Sequence, residues 1–286
     1  GCRERLLQEI RDVNPTKILT VGAIAYSALM GLKKVVTLGN VRGQGFWFEL
    51  DGRKIYTVPT FHPAAVLRDE GLFRDILRDV AKLNANNAPI PAPRIFENVP
   101  ADEAEALEFL ESLKSASVIS CDIETEGLDV IEHGLLSIGF GVLVDSEEWD
   151  GASYIFPIGL VTGAVKEKML ELLTSTSGQV LVFHNLKFDW KFLEKFFGVP
   201  RMRHPNLWDT MLISYAGDER QGTHSLKYLA RTRYDLPDYK FDFQKFYDTP
   251  VFERNWQAFW SYQSLDTFFT VKLYHDLMQD LMDEDP

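Results

Sequence analysis

Apolar residues near the N-terminus first recur with helical spacing. Leu6, Leu7, Ile10 and Val13 make one stripe over Arg3–Val13, and Pro15 ends it. Lys17–Gly22 reads as a buried strand and Ala23–Leu32 as the helix behind a glycine turn. Gly39–Gly45 reads as loop. Phe46–Glu49 and Lys54–Pro59 read as strands about a turn at Asp51–Gly52. The loop Phe61–Leu67 leads into a helix carrying Phe73, Ile76, Leu77 and Val80. Strand–helix–strand order predicts a small α/β unit. Periodicity then fails over Asn84–Pro100, which is rich in proline and asparagine and reads as a linker. A helix over Ala101–Ser115 follows, then strands at Ser117–Thr125, Leu135–Val144 and Ser153–Ile158. A helix over Val165–Thr174, a strand at Gln179–His184 and a helix over Leu186–Phe197 come next. From Leu207 onward the pattern is helical, punctuated by Gly217 and Pro237, and Trp256–Leu281 predicts one long helix. The expected fold is α/β, with residues 1–85 as one unit, 86–102 as linker and 103–286 as a mixed-sheet unit with helices on its faces.

Composition refines this picture. A chain of 286 residues, 45% hydrophobic and 25% charged, has material for two cores. Residues 1–90 carry 13 Lys+Arg against 9 Asp+Glu, or +4; the total of −12 therefore leaves −16 on the remainder. A basic unit followed by an acidic one implies different electrostatic roles. The acidity argues against tight nonspecific duplex binding by the second unit. It leaves room for a phosphate substrate if cations reverse the local field. Two cysteines exclude a disulfide framework and fit a reducing compartment. The first residues, GCRER, are no signal peptide, and the run Ile18–Leu32 is too short and too glycine-broken to span a bilayer. No membrane and a cytoplasmic location are expected. The glycine start and the acidic end suggest a piece cut from something longer.

The chemistry concentrates in Ser120–Asp129, SCDIETEGLD. In a strand, Asp122 and Glu124 share a face while Cys121 and Ile123 take the other. Carboxylates so placed repel unless a cation lies between them, and oxygen-only donors suit Mg²⁺ or Mn²⁺. A strand running into an acidic turn is the plainer reading. Further on, VLVFHNLKFDWKFL places Asp189 on the first turn of a helix, where a carboxylate complements the dipole, and Asn185 where an N-cap belongs. Tyr262 and Asp266 lie four apart on the last helix, hence on one face.

Together CDIETEGLD, HNLKFDWKFL and YQSLDTFFTVKLY resemble the three motifs of the 3′–5′ proofreading exonuclease domain of family A, polymerase I-like DNA polymerases. That domain is a ribonuclease H-like exonuclease with four acidic residues and a tyrosine, and the resemblance covers about residues 103–286. It implies two divalent metal ions, about 4 Å apart, that activate water and stabilise the leaving 3′ oxygen. It implies that Asp122 bridges both ions, that Glu124 and Asp266 complete one, that Asp189 serves the other, and that Tyr262 holds the attacking water. Leu128 matches the residue that wedges against the terminal base, and Thr125 and Asn185 match substrate contacts. Phe188 stands where the family often has tyrosine. Asp209, in LWDTMLISY, falls in a connecting segment that also resembles the family. Trp190, Phe241, Phe243, Trp256 and Trp260 could stack on unpaired bases or fill the core. The implied partners are a single-stranded DNA 3′ end and a polymerase domain following this chain in a bacterial or phage-like protein. A free-standing exoribonuclease of the same superfamily and a catalytically dead DNA-binding module stay open as alternatives.

The first unit carries YTVPTFHPAAVLR after KILTVG and VRGQGF. This resembles the C-terminal part of the iron–sulfur uracil-DNA glycosylases. The resemblance implies that His62, followed by Pro63, donates to uracil as charge develops, and that the Ala64–Arg68 loop enters DNA with Arg68 nearest. A His–Pro turn capping a helix is the plainer alternative. The glycine-rich motif that positions water is missing, and Cys2 alone cannot hold an iron–sulfur cluster. A partial glycosylase-like unit is therefore expected.

Overall fold

The computed structural model describes all residues except 1, 86–91, 146–148, 221, 235–238, 240 and 285–286. Residues 86–91 of the expected linker and Pro237 thus lie outside the described residues. The chain divides into two units, Gly1–Ala92 with Lys227–Tyr239, and Pro93–Leu226 with Lys240–Pro286.

In the first unit α1 (Cys2–Val13) precedes β1 (Lys17–Val21) and α2 (Ala23–Met30). Gly31, at φ 67°, ends α2 two residues before its expected end, because a left-handed residue closes the last turn. β2 (Phe46–Leu50) and β3 (Arg53–Thr60) form a hairpin through Asp51 and Gly52, both at positive φ, the backbone that a two-residue turn demands. The described strands pair in the order β1-β3-β2, with β1 parallel to β3. α3 (Leu72–Ala85) follows, and its buried face is charged. Arg42, 3% exposed, lies between Asp75 and Asp79 at 3.1 and 2.9 Å, and Thr60 Oγ1 donates to Asp79 at 2.7 Å. These charges come from the stretch expected as loop and from a helix expected to bury apolar residues.

The second unit begins with β4 (Arg94–Asn98), a strand inside the stretch expected as linker, then α4 (Glu103–Leu113), capped by Asp102. β5 (Val118–Thr125), β6 (Leu135–Asp145) and β7 (Asp150–Pro157) lead to α5 (Gly163–Leu173), β8 (Val180–Phe183) and α6 (Leu186–Phe197). β9 (Leu207–Asp209) is a short strand where helix was expected. It is followed by α7 (Thr210–Gly217), α8 (Leu226–Tyr234), α9 (Phe243–Asp248) and α10 (Trp256–Glu284). The sheet runs β4-β7-β6-β5-β8-β9; β5 is antiparallel to β6 and parallel to β8. On one face Ile119, Cys121, Ile123, Ile138 and Phe140 pack with α4, α5 and α6. α10 covers the other face.

α10 lies close to the sheet because the strands beneath it offer small residues. A Cβ on Gly141 would stand 2.8 Å from the Thr267 backbone, and one on Gly151 would stand 2.5 Å from the Phe268 ring. Serines fill the remaining positions with hydrogen bonds. Ser120 Oγ donates to Thr267 O at 2.6 Å, Ser137 Oγ donates to Gln263 Oε1 at 2.6 Å, and Ser153 Oγ lies 2.7 Å from Thr267 Oγ1. α8 carries residues of the first unit from Lys227 onward, and Lys82 Nζ donates to Thr232 O at 3.0 Å there.

Candidate active site

Alternation along β5 places Asp122 and Glu124, both half-buried, on the face that bears Ser120 and meets α10. Gly139 pairs with Asp122 across the ladder, and Gln263 Nε2 of α10 donates to Asp122 O at 3.2 Å. The close seat of α10 thus brings Tyr262 and Asp266 to the acidic strand. Both are buried, and the Tyr262 hydroxyl donates to the Asp266 carboxylate. Burial holds the Tyr262 phenol protonated well above the ordinary tyrosine range, helped by the charges of Asp266, Glu124 and Asp122. The phenol is a neutral hydrogen-bonding group at any ordinary pH.

Asp189 arrives from the other side of β5. It lies in the first turn of α6, 5% exposed, and accepts the amide of Ile123, the residue between Asp122 and Glu124. Burial, then the charge of Asp122, pushes its carboxyl well above the usual range. The start of α6 is fixed by Asp209 rather than by Asn185. Asp209 Oδ1 accepts Asn185 N at 3.0 Å and Met211 N at 2.9 Å, and Oδ2 accepts Leu186 N at 2.9 Å. One carboxylate therefore caps α6 and α7, while Asn185 sits at φ 71° with no capping bond of its own side chain. Asparagine tolerates that left-handed backbone better than most residues.

The four acidic residues and the tyrosine are thus neighbours in one electrostatic field. Among the described residues no three His, Cys, Asp or Glu side chains stand close enough together to hold a metal ion as placed. The donor set is nonetheless all carboxylate oxygen, with the Asp189 carboxyl pushed upward by burial and by the charge of Asp122, and such crowded oxygen donors are what hard cations fit.

Comparison with known proteins decides the family. The profile described as 3′–5′ exonuclease matches residues 98–282. The chain belongs to this exonuclease family. It is also 31% identical over 195 residues to the DNA polymerase of Escherichia phage T5, covering 61% of this chain and 22% of that protein. The N-terminal part is similar to type-4 uracil-DNA glycosylases. It is 39% identical over 85 residues to that of Thermotoga maritima and 34% over 83 residues to that of Pyrobaculum aerophilum, 42% of each glycosylase being covered. The chain therefore spans about a fifth of the phage polymerase and about two-fifths of these glycosylases. Among solved structures, the catalytic core of RRP6 from Trypanosoma brucei matches with a TM-score of 0.52 at 16% identity. That match covers 90% of this chain and 66% of that one. The Aedes aegypti Nibbler EXO domain matches with a TM-score of 0.51 at 12% identity, over 66% of this chain and 90% of that one. These likenesses show the fold, a ribonuclease H-like exonuclease fold.

Of the substrate contacts expected in the exonuclease unit, Leu128, Asn185 and Phe188 line one open cleft of about 300 Å³ with Val130, Lys187, Lys191 and Phe192. Leu128 is 85% exposed at the tip of a loop that Lys195 ties to α6 by donating to Val130 O, Ile131 O and His133 O. Thr125 is buried, and its hydroxyl donates inward to Gly127 O at 2.7 Å. Lys187 and Lys191 were not singled out from sequence, although their spacing of four along α6 was visible. Trp190 belongs to the core, its ring 5.8 Å from Phe183 and its Nε1 donating to Met202 O. Phe241, Phe243, Trp256 and Trp260 belong to an aromatic block around α9 and α10.

In the first unit His62 Nδ1 accepts Ala64 N at 3.1 Å, capping a 3₁₀ turn over Pro63–Ala65. Arg68 is exposed just beyond that turn. No helix among the described residues is long and apolar enough to cross a membrane.

Proposed function

We propose that this chain is a divalent-metal-dependent exonuclease that removes nucleotides from the 3′ ends of single-stranded DNA, the proofreading part of a family A DNA polymerase. The observation that carries the reading is the meeting of Tyr262 and Asp266 of α10 with Asp122 and Glu124 of β5, with Asp189 bonded to the amide between those two. Asp122, Glu124, Asp189 and Asp266 would hold the cations. When bound, the ions would neutralise the phosphodiester and make a water nucleophilic at neutral pH. Tyr262, held neutral, orients that water by hydrogen bonding and does not act as a base. The water oxygen bonds to phosphorus, the bond from phosphorus to the 3′ oxygen breaks, and a 5′-mononucleotide leaves a shortened strand with a free 3′ hydroxyl. Leu128 and Phe188 grip the terminal base; Asn185 and the lysines beside it face the backbone phosphates.

DNA is favoured over RNA by the 31% identity to a phage DNA polymerase and by the glycosylase-like sequence in the same chain. The test is degradation of 5′-labelled single-stranded DNA and RNA with Mg²⁺ or with chelator. Shortening of DNA from its 3′ end is expected, abolished by chelator and by Asp122→Ala with the fold retained. Equal activity of wild type and Asp122→Ala would sink the assignment.

A further inference from the structure

A second tyrosine reaches the acidic strand, and the proposed reaction does not yet use it. Tyr247 of α9 donates its hydroxyl to Thr125 O at 2.5 Å. That carbonyl lies where the β5–β6 register slips: Glu124 pairs with Ser137 but Thr125 pairs with Leu135, leaving Leu136 unmatched. The extra residue belongs to β6, so β6 carries the bulge and β5 loses its regular ladder partner just after Glu124; the backbone there depends on what else holds it.

α9 has six residues, too few to hold its own position. Packing holds it instead. Phe246 stacks on Phe259 of α10 at 4.7 Å and 6°, and Phe243 meets Tyr262 edge-on at 5.3 Å and 88°. Arg254 donates to Tyr247 O at 3.2 Å and to Thr249 O at 3.0 Å, its guanidinium 4.9 Å from the Phe246 ring centre. One aromatic block thus delivers Tyr262 to the carboxylates and Tyr247 to the strand opposite the bulge. Burial raises the Tyr247 phenol, and the charge of Glu124 adds to it, which places the hydroxyl within reach of that carboxylate's field.

Building on the exonuclease reading, we propose that Tyr247 is a positioning residue, pinning the β5 backbone just after Glu124, opposite the β6 bulge, so that Glu124 stays aligned with Tyr262 and Asp266. Tyr247→Phe removes one oxygen and keeps the ring. The expected result is a kcat on 5′-labelled single-stranded DNA lower by roughly 3- to 10-fold, the worth of one hydrogen bond expressed in the rate. KM for the oligonucleotide should stay within about twofold, and the melting temperature should stay close to wild type. Independently of turnover, Mn²⁺ binding followed by electron paramagnetic resonance should half-saturate at a higher concentration. A wild type active on DNA with Tyr247→Phe indistinguishable from it overturns this inference alone. So does a raised KM at unchanged kcat, which would make Tyr247 a substrate contact. A wild type inactive on DNA and RNA overturns the exonuclease reading and this inference with it.

Discussion

Gly141→Ala tests whether the seat of α10 sets the geometry of the acidic cluster. The new Cβ would stand 2.6 Å from Ser120 Oγ and 2.8 Å from the Thr267 backbone carbon and oxygen, where ordinary contact begins at 3.4 Å. The serine can rotate, but the helix backbone cannot yield without moving, so α10 must lift from β6 by roughly 0.6 Å. Overfilling of this kind costs roughly 1–3 kcal/mol, or a melting temperature lower by about 2–10 °C for a unit of this size. Thr267 follows Asp266 directly, so the displacement reaches the site. A misplacement of order 1 Å costs on the order of 10²-fold in rate, which sets the expected loss of kcat near 10-fold. At Gly139 the obstacles are the ends of side chains, Ile155 Cδ1 at 2.9 Å and Thr267 Cγ2 at 3.0 Å, so Gly139→Ala should cost less. Gly159→Ala, with nothing within 4 Å, should cost nothing measurable. Single-turnover digestion and thermal melting of the three variants check the ranking. A Gly141→Ala variant equal to Gly159→Ala in both would refute the reasoning.

Other outcomes are equally specific. Tyr262→Phe should lower turnover by roughly 10²-fold or less, the low end for a proton-handling group. Because the raised Tyr262 pKa keeps its neutral form through the ordinary phenol range, wild-type activity should show no alkaline fall from Tyr262 below about pH 10, read from a pH–rate profile. Asp79→Ala should destabilise the first unit by about 1–3 kcal/mol, since Arg42 and Thr60 lose a buried acceptor while Asp75 still pairs the charge; chemical denaturation measures it.

Legibility in the sequence followed the range of the interactions. Asp122 with Glu124 needs only the period of a strand, and Tyr262 with Asp266 only the period of a helix, so both pairs could be read directly. Bringing them together took a resemblance, because nothing local says which helix crosses which strand. β4 was hidden because Arg94–Asn98 is a short edge strand, carrying Arg94 and Glu97, in a stretch dominated by proline and asparagine. Arg42 lies in a stretch read as loop, and Asp75 and Asp79 on a helix read by its apolar positions, so only their ion pairs with one another show why they are buried. Asp209 and Tyr247 act on backbone groups 24 and 122 residues away, and side-chain type does not encode such partners.

Cys121, on the reverse of the strand that carries the carboxylates, is 1% exposed, and burial pushes its thiol well above the ordinary range, with Asp189 and Asp122 adding to the shift. A maleimide or disulfide reagent can therefore capture it only after β5 opens and the sulfur meets water. With Cys2 exchanged for serine, the capture rate becomes a clock for that opening, readable without any substrate. A ligand seated on the opposite face would slow the clock by the factor 1 + [L]/Kd while never approaching the sulfur. The protein thus carries a gauge of site occupancy that reports through the thickness of one strand.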